Sequence, residues 1–104
     1  MVSNDRLLSF LGLCKRAGYL ISGAETVTKA INDDKAQLAL YASDASANSL
    51  KSVLRTAEVK NIPALRLDRS KEELSFALGK HCGIVGVTDR GFADKIQSMI
   101  EESK

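Results

Sequence analysis

Apolar residues recur along the chain in two alternating periods. Leu7, Phe10, Leu11, Cys14 and Ala17 fall at spacings of three and four, which predicts an amphipathic helix over residues 4–17. Ser3 or Asn4 is its expected cap, and Gly18 suits the left-handed position after its last turn. A short β-like run, Tyr19 to Ile21, follows. Ser22-Gly23 opens a second helix over 24–32 with Val27, Ala30 and Ile31 facing inward. Ala36 to Ala42 is short and nearly all apolar, as in a strand covered on both faces of a largely parallel sheet. A third helix is predicted over 47–60, with Leu50, Val53, Leu54 and Ala57 on its stripe and Asn61 and Pro63 ending it. Ala64 to Leu67 reads as a second buried strand. Ser70-Lys71-Glu72-Glu73 has the capping-box pattern and opens a short helix through Leu78, stopped by Gly79. Ile84 to Thr88 is the last strand, and Asp89 caps a final helix carrying Phe92, Ile96 and Ile100.

Helices and strands thus alternate from end to end. With right-handed crossovers this predicts a three-layer α/β/α sandwich around a central mixed, largely parallel four-stranded sheet. One proline, no repeat and no linker-like segment make residues 1–104 a single expected domain.

The 44% hydrophobic and 27% charged residues fit a globular chain and exclude disorder and collagen-like structure. No run approaches the ~20 apolar residues of a membrane span. Met1 to Arg6 lacks a signal-type stretch, so a cytoplasmic protein is expected. Two cysteines and one histidine cannot build a disulfide framework or a His-based metal cluster, and no cofactor is expected. The net charge of +2 neither demands nor excludes nucleic acid; the placement of charge decides.

Enzyme signatures are mostly absent, and only the His81–Cys82 pair and the strand-end loops speak for a small-ligand or enzymatic domain. There is no phosphate-loop lysine motif, Gly83-x-x-Gly86 is too short for a dinucleotide fingerprint, and no Gly-x-Ser-x-Gly elbow occurs. His81 and Cys82 are adjacent, and in an extended segment their side chains point apart, against a nucleophile–base pair. Cys14 lies on an apolar stripe and reads as a small buried hydrophobe.

The informative constellation runs from Ser22 to Lys29. A glycine stands at a helix start, polar side chains fill the first turn, and a lysine lies one turn on. Free N–H groups at such an end donate to phosphate, and Lys29 adds an ionic contact. The same residues also read without any ligand: Ser22-x-x-Glu25 matches a capping box, and Glu25–Lys29 an ordinary surface pair. Lys15 and Arg16 fit either phosphate contact or compensation of the helix dipole. Lys51, Arg55 and Lys60 read as a solvated face.

The chain as a whole resembles the kink-turn-binding ribosomal proteins, the L-seven-Ae and L-thirty-e superfamily, and is most similar to its short bacterial YlxQ-like branch. The resemblance rests on an ordered set of landmarks. They are Leu11-Gly12-Leu13 with Lys15-Arg16-Ala17, Ser22-Gly23 through Lys29, and Ala36 to Leu40 followed by Ser43-Asp44-Ala45-Ser46. Asn61-Ile62-Pro63, Leu78-Gly79-Lys80 and Val87 through Ala93 complete it. It implies the same sandwich, RNA binding without catalysis, and a structured RNA partner: a kink-turn in ribosomal RNA or an mRNA leader, with the ribosome a further candidate. A monomer is expected. The family's RNA motif is Gly-x-Asn-Glu-x-x-Lys. Gly23 and Lys29 match it, whereas Glu25 stands for the Asn and Thr26 for the Glu. A Glu25 carboxylate only accepts hydrogen bonds and is repelled by phosphate, and Thr26 lacks charge and reach. The resemblance places a second contact in the loop Lys80-His81-Cys82-Gly83-Ile84. There Lys80 would meet phosphate, His81 would stack on an unstacked base, and Cys82 or Ile84 would supply apolar contact. A protein-interaction module of the same fold that has lost specific RNA binding is the rival reading.

Overall fold

The computed structural model describes residues 5–102. Its elements alternate as α1 (Arg6–Arg16), β1 (Leu20–Ser22), α2 (Ala24–Asn32), β2 (Leu38–Tyr41) and α3 (Ala47–Lys60), then β3 (Ala64–Arg66), α4 (Lys71–Leu78), β4 (Ile84–Val87) and α5 (Arg90–Glu102). The strands form one sheet in the order β1-β4-β2-β3. β1 pairs antiparallel with β4 (Leu20 opposite Val87), β2 antiparallel with β4 (Leu40 opposite Val85), and β2 parallel with β3 (Leu40 opposite Leu65).

The sheet is mixed, as expected, but the largely parallel pairing is corrected: two of its three pairings are antiparallel. The all-apolar runs have another cause. β2 and β4 are the two central strands and carry helices on both faces, so both faces are apolar whatever the direction of pairing. β3 is likewise corrected from a buried strand to a half-buried edge strand.

Strand alternation sorts the core into two layers. Leu38, Leu40, Val85 and Val87 point toward α1, α4 and α5, where they meet Leu11, Leu74 and Ile96. Ala39 and Ile84 point to the other face, where α2 and α3 supply Val27, Ile31, Val53 and Ala57. The second layer includes the small residues Ala30, Ala36, Ala39 and Ala57. A Cβ built on Gly86 would stand 3.2 Å from Ile21 and 3.3 Å from Val27, so that glycine sets how near α2 lies to the sheet.

Helix ends fix the loops that matter below. The expected caps Ser3 and Asn4 lie outside the described residues; α1 is capped by Asp5, whose carboxylate accepts from the Leu8 amide at 3.1 Å. The same carboxylate pairs with Arg69, which ties the start of α1 to the segment before α4. Ser70 and Glu73 form the expected capping box, and Asp89 accepts from the Phe92 amide at 2.9 Å. No helix among the described residues is long and apolar enough to cross a membrane.

Candidate functional site

The start of α2 departs from the capping reading. Ser22 is the last residue of β1, opposite Val85, and the helix N-cap is Gly23. Gly23 sits at φ +100°, a conformation that favours glycine, and its amide donates to the Ile84 carbonyl at 3.0 Å. Glu25 therefore occupies the second helical position rather than the third, and the Ser22–Glu25 capping box does not form. Among the described residues no side-chain hydrogen bond caps α2. The Ala24, Glu25 and Thr26 amides face outward at the positive end of the helix dipole, the arrangement that attracts anions.

Around this end the fold gathers residues distant in sequence. A cavity of about 280 Å³ is lined by Lys15 from α1, Ser22 from β1, Thr26 from α2, and Leu78, Lys80 and Cys82 from the end of α4 and its loop. Four expected site residues, Lys15, Thr26, Lys80 and Cys82, thus share one cavity. Among the described residues its charged lining is two lysines and no acid. Lys15 Nζ donates to the carbonyl of Leu78, the last residue of α4, so it compensates the dipole of α4 rather than that of its own helix. This bond also holds its charge at the cavity edge.

The loop after α4 is braced. Gly79 takes a left-handed conformation, φ +69°. Ser75 Oγ accepts from the Cys82 amide at 3.0 Å and donates to the Cys82 carbonyl at 3.1 Å. Sequence reasoning did not single out Ser75, because nothing in a helical serine marks a partner seven residues on. A Cβ on Gly83 would stand 2.9 Å from the Lys71 side chain, so a larger residue here would have to push that lysine aside. Lys80 and His81 are exposed.

Two expectations for this loop are corrected. Ile84 is 4% exposed, belongs to β4 and packs in the α2–α3 core layer, so its side chain is not offered to a ligand. Cys82 is also buried and packs in the opposite layer, reaching only the cavity wall. Burial outweighs the nearby lysines and pushes its thiol up, and burial followed by the charge of Asp89 pushes Cys14 to about 11. Both sulfurs are therefore protonated at neutral pH and poor nucleophiles. No group of three or more potential metal ligands gathers among the described residues.

The remaining expected residues lie on either side of the cavity. Glu25 and Lys29 line a broader groove of about 860 Å³ between α2 and α3, opposite Asn48 and Ser52, with Thr26 bordering both spaces. Lys29 does not pair with Glu25; it bonds Asp33 at 3.0 Å, and this contact holds the Asp33 carboxyl below its ordinary range. The pair is exposed, so solvent screens it and a phosphate can displace the aspartate at little cost. Arg16 is exposed and faces the grooves on either side of α1.

The chain as a whole is similar to known proteins. The profile of the ribosomal protein L7Ae/L30e/S12e/Gadd45 family matches residues 5–97. The RNA-binding protein YlxQ of Enterococcus faecium is 33% identical over 99 residues, covering 95% of each chain. The protein of that name from Bacillus subtilis (strain 168) is 36% identical over 92 residues, covering 88% of this chain and 91% of its own. A protein of unknown function from Bacillus halodurans C superposes with a TM-score of 0.86 at 34% identity, covering 92% of this chain and 97% of that one. A Giardia lamblia 15.5kD RNA binding protein shares the fold, with a TM-score of 0.73 at 21% identity over 96% of this chain and 92% of that one.

Proposed function

Because the chain belongs to the ribosomal protein L7Ae/L30e/S12e/Gadd45 family, we propose that it is a non-catalytic RNA-binding protein whose target is a bent, internally looped helix of the kink-turn type. The observation that carries this reading is the meeting of the open α2 start with Lys15 and Lys80 at one cavity. Backbone amides at Ala24 to Thr26 receive a phosphate or a base acceptor, and the lysines supply the salt-dependent part of binding. Lys29 gives up Asp33 to reach the backbone. Lys80 and His81 meet the nucleotide turned out of the kink. The RNA lies in ribosomal RNA or an mRNA leader.

Glu25 and Thr26 tune this site. A carboxylate accepts from a guanine amino group but repels phosphate, and the Thr26 hydroxyl is too short to reach across a tandem G·A pair. The double variant Glu25→Asn, Thr26→Glu is expected to tighten kink-turn binding about tenfold, or ~1.4 kcal/mol. Unchanged affinity would remove these positions from the site.

The test is a titration against a short kink-turn RNA at two salt concentrations, with a control RNA whose tandem G·A pairs are replaced by Watson–Crick pairs. Tighter binding to the first supports the reading. Equal, salt-dependent binding to both leaves a general RNA binder. A second reading, a protein-interaction module of the same fold, draws on one observation: the exposed Glu25 carboxylate at the very helix end that would face phosphate. Absence of binding to either RNA would favour it.

A further inference from the structure

A second surface lies away from the α2 start, in a groove of about 680 Å³ between α1 and α5. Its floor is apolar, made by Phe10 and Leu13 from α1 and Met99 from α5. Its rim carries Arg6, Arg16 and Lys95, and among the described residues no carboxylate is in the lining. The nearest acid on the same stripe of α5, Glu102, falls a turn beyond Met99 and outside it. Leu13 is 45% exposed and belongs to neither core layer, whereas its neighbours Leu11 and Cys14 are fully buried. Leu13 thus adds apolar surface beside Phe10 and Met99 that the core does not use.

We propose that this groove docks an acidic amphipathic helix of a partner protein. The charge pattern commits to that chemistry: three cations rim an apolar floor in a chain whose net charge is only +2. Spacing fixes the partner further. Arg6 and Arg16 are ten residues apart on one helix, about 15 Å at 1.5 Å per residue. A facing helix meets both with carboxylates about three turns apart, and lays apolar side chains at i, i+3 and i+7 between them. Lys95 takes a further carboxylate from the opposite rim. A nucleic-acid strand fits less well. Leu13 and Met99 offer no flat surface for a base, and the Phe10 ring is packed on Phe92, with centroids 5.2 Å apart. Arg16 is also a candidate phosphate contact, but Leu13, Met99 and Lys95 do not line the cavity at the α2 start, so the proposal can be tested apart from the RNA reading.

The test follows the backbone amides of the isotope-labelled full chain by NMR during titration. The probes are a synthetic helical peptide of about 18 residues, with leucines at i, i+3 and i+7 flanked by glutamates, and its counterpart with lysines replacing the glutamates. The expected result is that the acidic peptide moves amides of α1 and α5 and the basic one does not. Leu13→Ser and Lys95→Glu should each weaken the acidic peptide about fivefold or more. Both sites are exposed, so both variants should keep the wild-type far-UV spectrum and the wild-type RNA titration. Equal response to the two peptides, no response to the acidic one, shifts lying elsewhere, or displacement of the peptide by kink-turn RNA would each overturn the proposal.

Discussion

The starts of α2 and α4 carry the same four-residue pattern, Ser-x-x-Glu, and the fold treats them differently. At α4 the Ser70 hydroxyl accepts from the Glu73 amide at 3.1 Å and the Glu73 carboxylate accepts from the Ser70 amide at 2.9 Å. Asp44 takes the Lys71 amide at 2.7 Å. At α2 the sheet holds Ser22, the helix starts one residue later on Gly23, and no side chain closes the end. A capping pattern is thus a property of register, and strand pairing can shift that register. An open helix start alone is not distinctive, because α3 also begins without a side-chain cap, at Ser46. What sets α2 apart is the glycine at φ +100° and the two lysines brought beside its first turn.

Substitutions can break that contrast, and their effects should fall in a definite order. Gly23→Ala should cost about 1–3 kcal/mol, because the backbone conformation is one that side chains rarely adopt. The new Cβ would meet nothing closer than Thr26 Oγ1 at 3.8 Å, so the loss is backbone strain rather than collision, and thermal unfolding should show it. Ser70→Ala should cost ~1 kcal/mol by removing half of a formed capping box, a drop of roughly 4–8 °C in Tm. Ser22→Ala, at the matching position of the other pattern, should stay within ~0.5 kcal/mol. Equal losses at Ser70 and Ser22 would show that α2 is capped in solution.

A third helix start sharpens the contrast with a pH dependence. The Arg69 hydrogen bond, foremost, and then the Leu8 amide hold the Asp5 carboxyl below its ordinary 3.8 against the opposing effect of burial. Its folded value is lower than its unfolded one, so its contribution is complete above that ordinary value and is lost as pH falls through the lowered one. Asp5→Asn keeps a capping oxygen but removes the charge. It should be less stable than wild type by ~1 kcal/mol at neutral pH. The gap should narrow on acidification below pH ~4, followed by denaturant unfolding. A gap unchanged by acid would mean that the ion pair contributes nothing.

For binding, Lys29→Ala should weaken a kink-turn complex by ~1–3 kcal/mol, the scale of a charge-assisted contact. Lys51→Ala, on the exposed outer face of α3, should be nearly neutral. Comparable losses from both would indicate diffuse electrostatic attraction instead of a defined site.

Much of the fold is legible in the chain because periodicity and helix caps are local. The ranges of α2 and α3, the Ser70 box and the Asp89 cap all depend on residues within a turn or two of one another. What is not legible depends on partners far away in sequence. Pairing direction is invisible in an all-apolar run, which is why the antiparallel centre of the sheet reads as parallel. Ile84 is legible as the first residue of the last strand, but not the core layer its side chain enters, which is set by its ladder with Tyr41 and the packing of α2 and α3. At the candidate site the charged residues are readable by type, but their convergence is not: the Lys15 bond to the Leu78 carbonyl spans 63 positions.

The most direct test of the open α2 start as the RNA contact is to follow backbone amides by NMR as kink-turn RNA is added to the full chain. The expected result is that Ala24, Glu25 and Thr26 move together with Lys80 and His81, while Lys71 to Leu74 at the closed start of α4 stay in place. Movement of the α4 amides, or a still α2 start in a complex that does form, would contradict it.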